Sequence, residues 1–88
     1  MAYLAYVLVN PCKRIYVGHT SNIGFRLARH NEGLVRSTAA HRPWRVLFVE
    51  EFDTRAEAMR REKQLKGGQG RAYIREILGS STGPPEAD

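Results

Sequence analysis

Five side chains in this sequence carry groups that phosphate chemistry uses: the phenols of Tyr6 and Tyr16, the guanidinium of Arg26, the imidazole of His30 and the carboxylate of Glu62. Tyr6 and Tyr16 fall on two apolar, β-branched stretches joined by a short Asn-Pro turn, so cross-strand pairing can bring the phenols together. Two phenols can position a water or hold a phosphate oxygen, although core-facing tyrosines give the same pattern. Gly18 follows at the strand end and permits close approach by another group. Arg26 and His30 stand four apart and share a helical face. A guanidinium beside an imidazole suits a site that holds phosphate and moves a proton, and a solvated helix face has the same spacing. Glu62 sits inside Arg60-Arg61-Glu62-Lys63-Gln64-Leu65-Lys66. One carboxylate can hold Mg²⁺, which keeps most of its waters, and the surrounding cations offset repulsion from a polyanion. An ion-pair partner is the plainer reading of the same carboxylate.

A second set of residues suits contact with a nucleic-acid strand. Ser37, Thr38 and Arg42 lie in a polar loop and can touch the backbone, and Lys63 and Lys66 flank Glu62. Trp44 can stack on an unpaired base or pack across the sheet. One Cys and three His (His19, His30 and His41) provide no close ligand pair for zinc. No Gly-rich loop joins a strand to a helix, so no nucleotide cofactor is expected.

The elements that must position these groups follow from the pattern. Ala2 to Val9 reads as a buried strand, Asn10 to Lys13 as a turn and Arg14 to Gly18 as its antiparallel partner. A helix is predicted from about Asn22 to Asn31, capped by Thr20 or Ser21 and ended by Gly33 in a left-handed cap. Its Ile23–Leu27 stripe is expected to pack inward, opposite Arg26 and His30. Leu34 to Pro43 reads as a loop and Trp44 to Phe52 as a third strand. Thr54 and Glu57 fit a capping box for a helix to about Lys66. Gly67 to Gly70 is expected to stop it, Arg71 to Leu78 to form a last short helix, and Gly79 to Asp88 to be a disordered tail. The order β-β-α-β-α-α describes an α+β domain over residues 1–78, a three-stranded antiparallel sheet flanked by helices.

Bulk properties agree with a nucleic-acid partner. The 88 residues make one domain with net charge +5. Eleven of the fourteen Lys and Arg residues are Arg, whose fork suits phosphate. A single cysteine implies a reducing compartment, and no apolar run is long enough to span a bilayer. A cytoplasmic protein with no membrane partner is expected.

Order and spacing together resemble the GIY-YIG nuclease superfamily, most of all its small stand-alone bacterial members. Leu4-Ala5-Tyr6 stands at the first tripeptide and Tyr16-Val17-Gly18 at the second. Arg26 and His30 follow ten and fourteen residues after Tyr16, and Glu62 lies on the helix after strand three. The resemblance runs from about Ala2 to Leu78. It implies a metal-dependent endonuclease acting on DNA with little sequence specificity, leaning toward single-stranded or branched forms and serving in DNA repair. Tyr6 and Tyr16 would align a water, Tyr16 or His30 would take its proton, Arg26 would neutralise phosphate charge, and Glu62 would hold Mg²⁺ or Mn²⁺. The products would carry 5′-phosphate and 3′-hydroxyl ends. The sequence departs from the family in three places. Leu4 and Ala5 replace Gly and Ile. His19, expected to contact nucleic acid, replaces a Lys found in some members. No Asn follows Asn31, and Gln69 is the nearest polar substitute. These departures leave a catalytically weak nucleic-acid-binding module of the same fold as the alternative.

Overall fold

Asn10 closes the hairpin turn by itself. Its side-chain oxygen accepts from the backbone N–H of Cys12 and Arg14, at 3.1 and 2.8 Å, and its backbone N–H donates to Arg14. Its amide also donates to the carbonyl of His41 at 3.0 Å, tying the turn to a distant loop. In the computed structural model, which describes residues 2–81, this turn joins β1 (Tyr3–Val9) to β2 (Ile15–Thr20). Then come α1 (Ile23–Asn31), a 3-10 turn at Ala39–His41, β3 (Arg45–Phe52), α2 (Arg55–Lys66) and α3 (Gly68–Ser81). The strands form one antiparallel sheet in the order β2-β1-β3, so the α+β architecture and element order are those expected.

Alternation along β1 divides the core in two. Ala5 and Val7 face α2 and α3 and pack with Val17, Leu65 and Ile74. Tyr6 and Leu8 face the other way, toward Trp44, Ile23 and Leu27. The central strand is buried on both faces, which explains its nearly unbroken apolar sequence. An irregularity where Val7 pairs with Phe48 and Leu8 with Val46 leaves Leu47 as an extra residue in β3.

Several boundaries differ from the expected ones. β2 continues through His19 and Thr20, which alternate with the residues before them and stay paired to Ala5 and Leu4. The α1 cap is Asn22, whose side chain accepts from the Phe25 N–H at 3.0 Å; Thr20 instead bonds the backbone of Asn22. Gly33 takes the left-handed conformation, φ 81°. The Thr54–Glu57 capping box forms, and α2 ends at Lys66. α3 begins at Gly68, three residues before the expected start at Arg71. The glycines turn the chain there, and Gly70 lets α3 cross closely over the end of α2. A Cβ on Gly70 would run into the Gln64 carbonyl and the Leu65 backbone. α3 also takes in Gly79 to Ser81, and the rest of the expected tail, residues 82–88, lies outside the described residues.

Gly70→Ala should therefore destabilise the domain by about 1–3 kcal/mol, because backbone on both sides must move. Urea denaturation checks this; an unchanged midpoint would contradict the close crossing.

Candidate active site

Tyr6 pairs with Gly18, and Leu8 with Tyr16, so all four lie on one sheet face with the tyrosines diagonal to each other. The Tyr6 ring lies over Gly18, where a Cβ would stand 2.6 Å from the phenol oxygen. The close approach that Gly18 permits is thus made by Tyr6 itself. The two phenol rings are 6.3 Å apart, and the His30 ring completes the cluster at 4.8 Å from Tyr16 and 6.0 Å from Tyr6.

His30 is fully buried, 0% exposed. It does not lie opposite the Ile23–Leu27 stripe, as the sequence suggested: those side chains and His30 all face the sheet, because positions 23, 27 and 30 fall within one broad helical face. Its Nε2 is 3.0 Å from the Tyr6 hydroxyl and its Nδ1 is 2.8 Å from the Thr38 hydroxyl. Both ends of this chain assign the tautomer. Thr38 donates its one proton to the Val35 carbonyl at 3.2 Å, so its oxygen accepts from His30 Nδ1–H. The Tyr6 hydroxyl is buried and needs an acceptor, which is His30 Nε2. Burial, and then the charge of Arg26, hold the imidazole pKa below its ordinary value and keep His30 neutral. Burial above all raises the Tyr6 phenol pKa beyond the ordinary range; Tyr16 and Glu62 add to the rise and Arg26 opposes it. Tyr6 therefore keeps its proton and points it at His30.

Arg26 is half-buried on α1, and its guanidinium has no hydrogen bond or ion pair among the described residues. Its charge reaches both Tyr6 and His30. A half-buried cation beside Tyr6 and His30 can take an anion as its partner.

Glu62 approaches from α2. Its Oε1 accepts from His19 Nδ1 and its Oε2 from Lys66 Nζ, each at 2.6 Å. Burial by itself would raise this carboxyl, but the hydrogen bonds from Lys66 and His19 outweigh it and hold the pKa below the usual value. Glu62 is ionised at neutral pH, and its charge is felt at Tyr6, so the carboxylate belongs to the same cluster. A hard divalent ion fits it: a carboxylate offers about four lone pairs, and His19 and Lys66 engage two. No group of three metal-ligating side chains exists among the described residues, so Glu62 is the single carboxylate offered here.

Tyr6, Tyr16, Arg26, His30 and Glu62 thus converge around β2, an edge strand. The expected nucleic-acid contacts divide. Ser37, Arg42, Lys63 and Lys66 are exposed, although Lys66 is committed to Glu62 and Arg42 to the Ala39 carbonyl. His19 is half-buried against Glu62. Thr38, 1% exposed, and Trp44, 4% exposed, do not reach the surface. Trp44 donates its indole N–H to the Thr38 carbonyl at 2.9 Å, and Asn31 brackets the backbone of Trp44. The loop is an internal brace for His30. No periodicity links Thr38 to His30, so this role was not readable from spacing. Gln69 lines a groove with Arg61 and Tyr73, away from the phenols.

A family model described as the GIY-YIG catalytic domain matches residues 2–73. The chain is 39% identical to the UPF0213 protein SH2523 of Staphylococcus haemolyticus over 64 residues, covering 69% of this chain and 78% of that protein. It is 33% identical to the UPF0213 protein NP_0776A of Natronomonas pharaonis over 86 residues, covering 94% of this chain and 100% of that protein. The solution NMR structure of the UPF0213 protein BH0048 from Bacillus halodurans is similar with a TM-score of 0.50 and 27% identity, covering 98% of this chain and 90% of that one. No helix among the described residues is long and apolar enough to cross a membrane.

Thr38→Val should leave the His30 Nδ1–H buried without an acceptor and cost about 1–3 kcal/mol in urea denaturation. A pH dependence accompanies it. His30 takes a proton near pH 6.5 when unfolded and only at lower pH when folded, so the unfolded state binds more protons in acid. Stability should fall as pH drops below about 6.5, and His30→Gln should flatten that fall. An equally steep acid loss in the variant would contradict a buried neutral His30.

Proposed function

The chain belongs to the GIY-YIG catalytic domain family, among its UPF0213 proteins, and on that premise we propose that it is a metal-dependent endonuclease hydrolysing DNA with little sequence preference. The observation that carries this reading is Arg26: half-buried, unpaired among the described residues, and electrostatically coupled to Tyr6 and His30.

The residues divide the work as follows. Arg26 binds the phosphate and offsets the charge that grows on it. Tyr6, 1% exposed, directs its proton into His30 and is a positioning residue behind Tyr16. His30 is a positioning residue, since both its nitrogens are engaged inside the protein. Tyr16, half-buried and 4.8 Å from the His30 ring, is the phenol left to take the water proton. Glu62 would hold Mg²⁺ or Mn²⁺, whose Lewis acidity stabilises the departing 3′ oxygen. The cationic groups offered here grip backbone without reading bases, which supports weak sequence preference. Trp44 is buried and gives no support to a preference for unpaired strands. Phe25, 62% exposed and next in sequence to Arg26, carries the Arg29 guanidinium over its ring, 5.7 Å from the centroid, an aromatic–cation pair suited to a nucleic-acid strand.

One observation favours the second reading, a binding module that has lost catalysis: Lys66 occupies Glu62 Oε2 with a competing positive charge. Cleavage assays with Mg²⁺ and Mn²⁺ separate the two. Arg26→Ala should lower turnover about 10²–10³-fold with the fold intact by circular dichroism. Glu62→Gln should abolish metal-dependent cutting and leave DNA binding in place. Wild-type rates in either variant would sink the assignment, and binding without cleavage by the unmodified protein would establish the second reading.

A further inference from the structure

The hairpin turn and α3 carry a second concentration of positive charge. A groove of about 360 Å³ opens between the hairpin turn and α3, walled by Lys13 and Arg14 on one side and by Arg71 and Arg75 on the other. Its floor includes Ile15 and Ile74, and no acidic side chain lines it. Asn10 fixes the turn that presents Lys13 and Arg14. Arg71 and Arg75 are four apart on α3 and therefore share a face. None of the four cations forms an ion pair among the described residues; Arg71 spends only its Nε, on the Lys66 carbonyl at 3.3 Å. Like charges at this spacing destabilise a helix, so the groove holds a repulsion that an anion would relieve.

This groove is continuous with the active site. A neighbouring hollow of about 230 Å³ is lined by Ile15, Tyr16, Val17, Leu65, Lys66 and Arg71. The two share Ile15 and Arg71, so one path runs along β2 from Tyr16, past Lys66 and Arg71, into the basic groove.

We propose that the Lys13–Arg14–Arg71–Arg75 groove is a second phosphate-binding site, gripping the backbone of the nucleic-acid strand away from the bond to be cut. Three of its four cations are Arg, whose fork matches phosphate, and none of them is placed to read sequence beyond a backbone. The groove's function is to hold long substrates; the reacting phosphate is held by Arg26. The inference rests on the nuclease reading of the neighbouring site and deepens it.

The test compares Arg71→Gln/Arg75→Gln with unmodified protein and with Arg45→Gln/Arg60→Gln, a charge-matched control on exposed residues that do not line the groove. The probes are a long fluorescent single-stranded oligodeoxynucleotide and a dinucleotide. Removing two phosphate contacts should flatten the slope of log affinity against log salt for this single strand by about 1.4, which is a loss of about 25-fold at about 0.1 M salt. KM for the long strand should rise while kcat, and cleavage of the dinucleotide, stay at the unmodified values. The control should change the slope far less. Unchanged affinity and slope in the groove variant, or an equal loss in the control, would overturn the groove assignment and leave the nuclease reading standing. No nucleic-acid binding by the unmodified protein would overturn both.

Discussion

A buried chain of hydrogen bonds, Tyr6 hydroxyl to His30 to Thr38 hydroxyl to the Val35 carbonyl, is the constraint on which the rest of this domain depends. Its first two links cross between elements, β1 to α1 and then α1 to the loop before β3, and the third closes inside that loop. An imidazole in an apolar core is costly unless both nitrogens are satisfied, so α1 and the loop can dock in only one arrangement that keeps the chain intact. Trp44 and Asn31 then lock the loop from its far end. The same chain settles which atoms at the site carry protons. Tyr6 is a fixed donor to the interior, and the groups left facing the open side are Tyr16, Arg26 and Glu62.

Strand alternation explains how so small a domain gathers these groups. Tyr6 and Tyr16 emerge on the α1 face of the sheet, whereas His19 projects to the α2 face and meets Glu62. Because β2 is an edge strand, the two faces meet around its outer rim, and the site wraps that rim. The charges are arranged with it. Glu62 is kept ionised by two donors, and Arg26 is left without a protein partner among the described residues. Four of the exposed cations wall the groove beside α3, which shares Ile15 and Arg71 with the hollow that Tyr16 lines.

The hairpin, the capping box at Thr54, the left-handed Gly33 and the order of elements were legible because each rests on local chemistry within a few residues. The five candidate site residues were picked out by their order along the chain, and three of them, Tyr6, Tyr16 and His30, stand in one ring cluster. What periodicity did not reveal is which way His30 points. A helix of nine residues with a broad inward face allows a polar side chain inside if partners wait there, and those partners are Tyr6 and Thr38, 24 and 8 residues away. Thr38 and Trp44 read as surface contacts for the same reason: a polar loop hides its packing role until the loop is folded. The glycines after Lys66 stop α2 as read, and Gly70 in addition marks a close crossing of two helices, information carried by the neighbouring backbone and not by the four residues themselves.

The central claim is that His30 sits neutral, with its proton on Nδ1 and its bare Nε2 receiving the Tyr6 hydroxyl. Nitrogen-15 NMR of the imidazole in labelled protein reads this directly. A protonated Nδ1, an unprotonated Nε2 and no conversion to imidazolium until the pH falls below about 6.5 are the expected result. A proton on Nε2, or an imidazolium titrating at the ordinary histidine value, would contradict it.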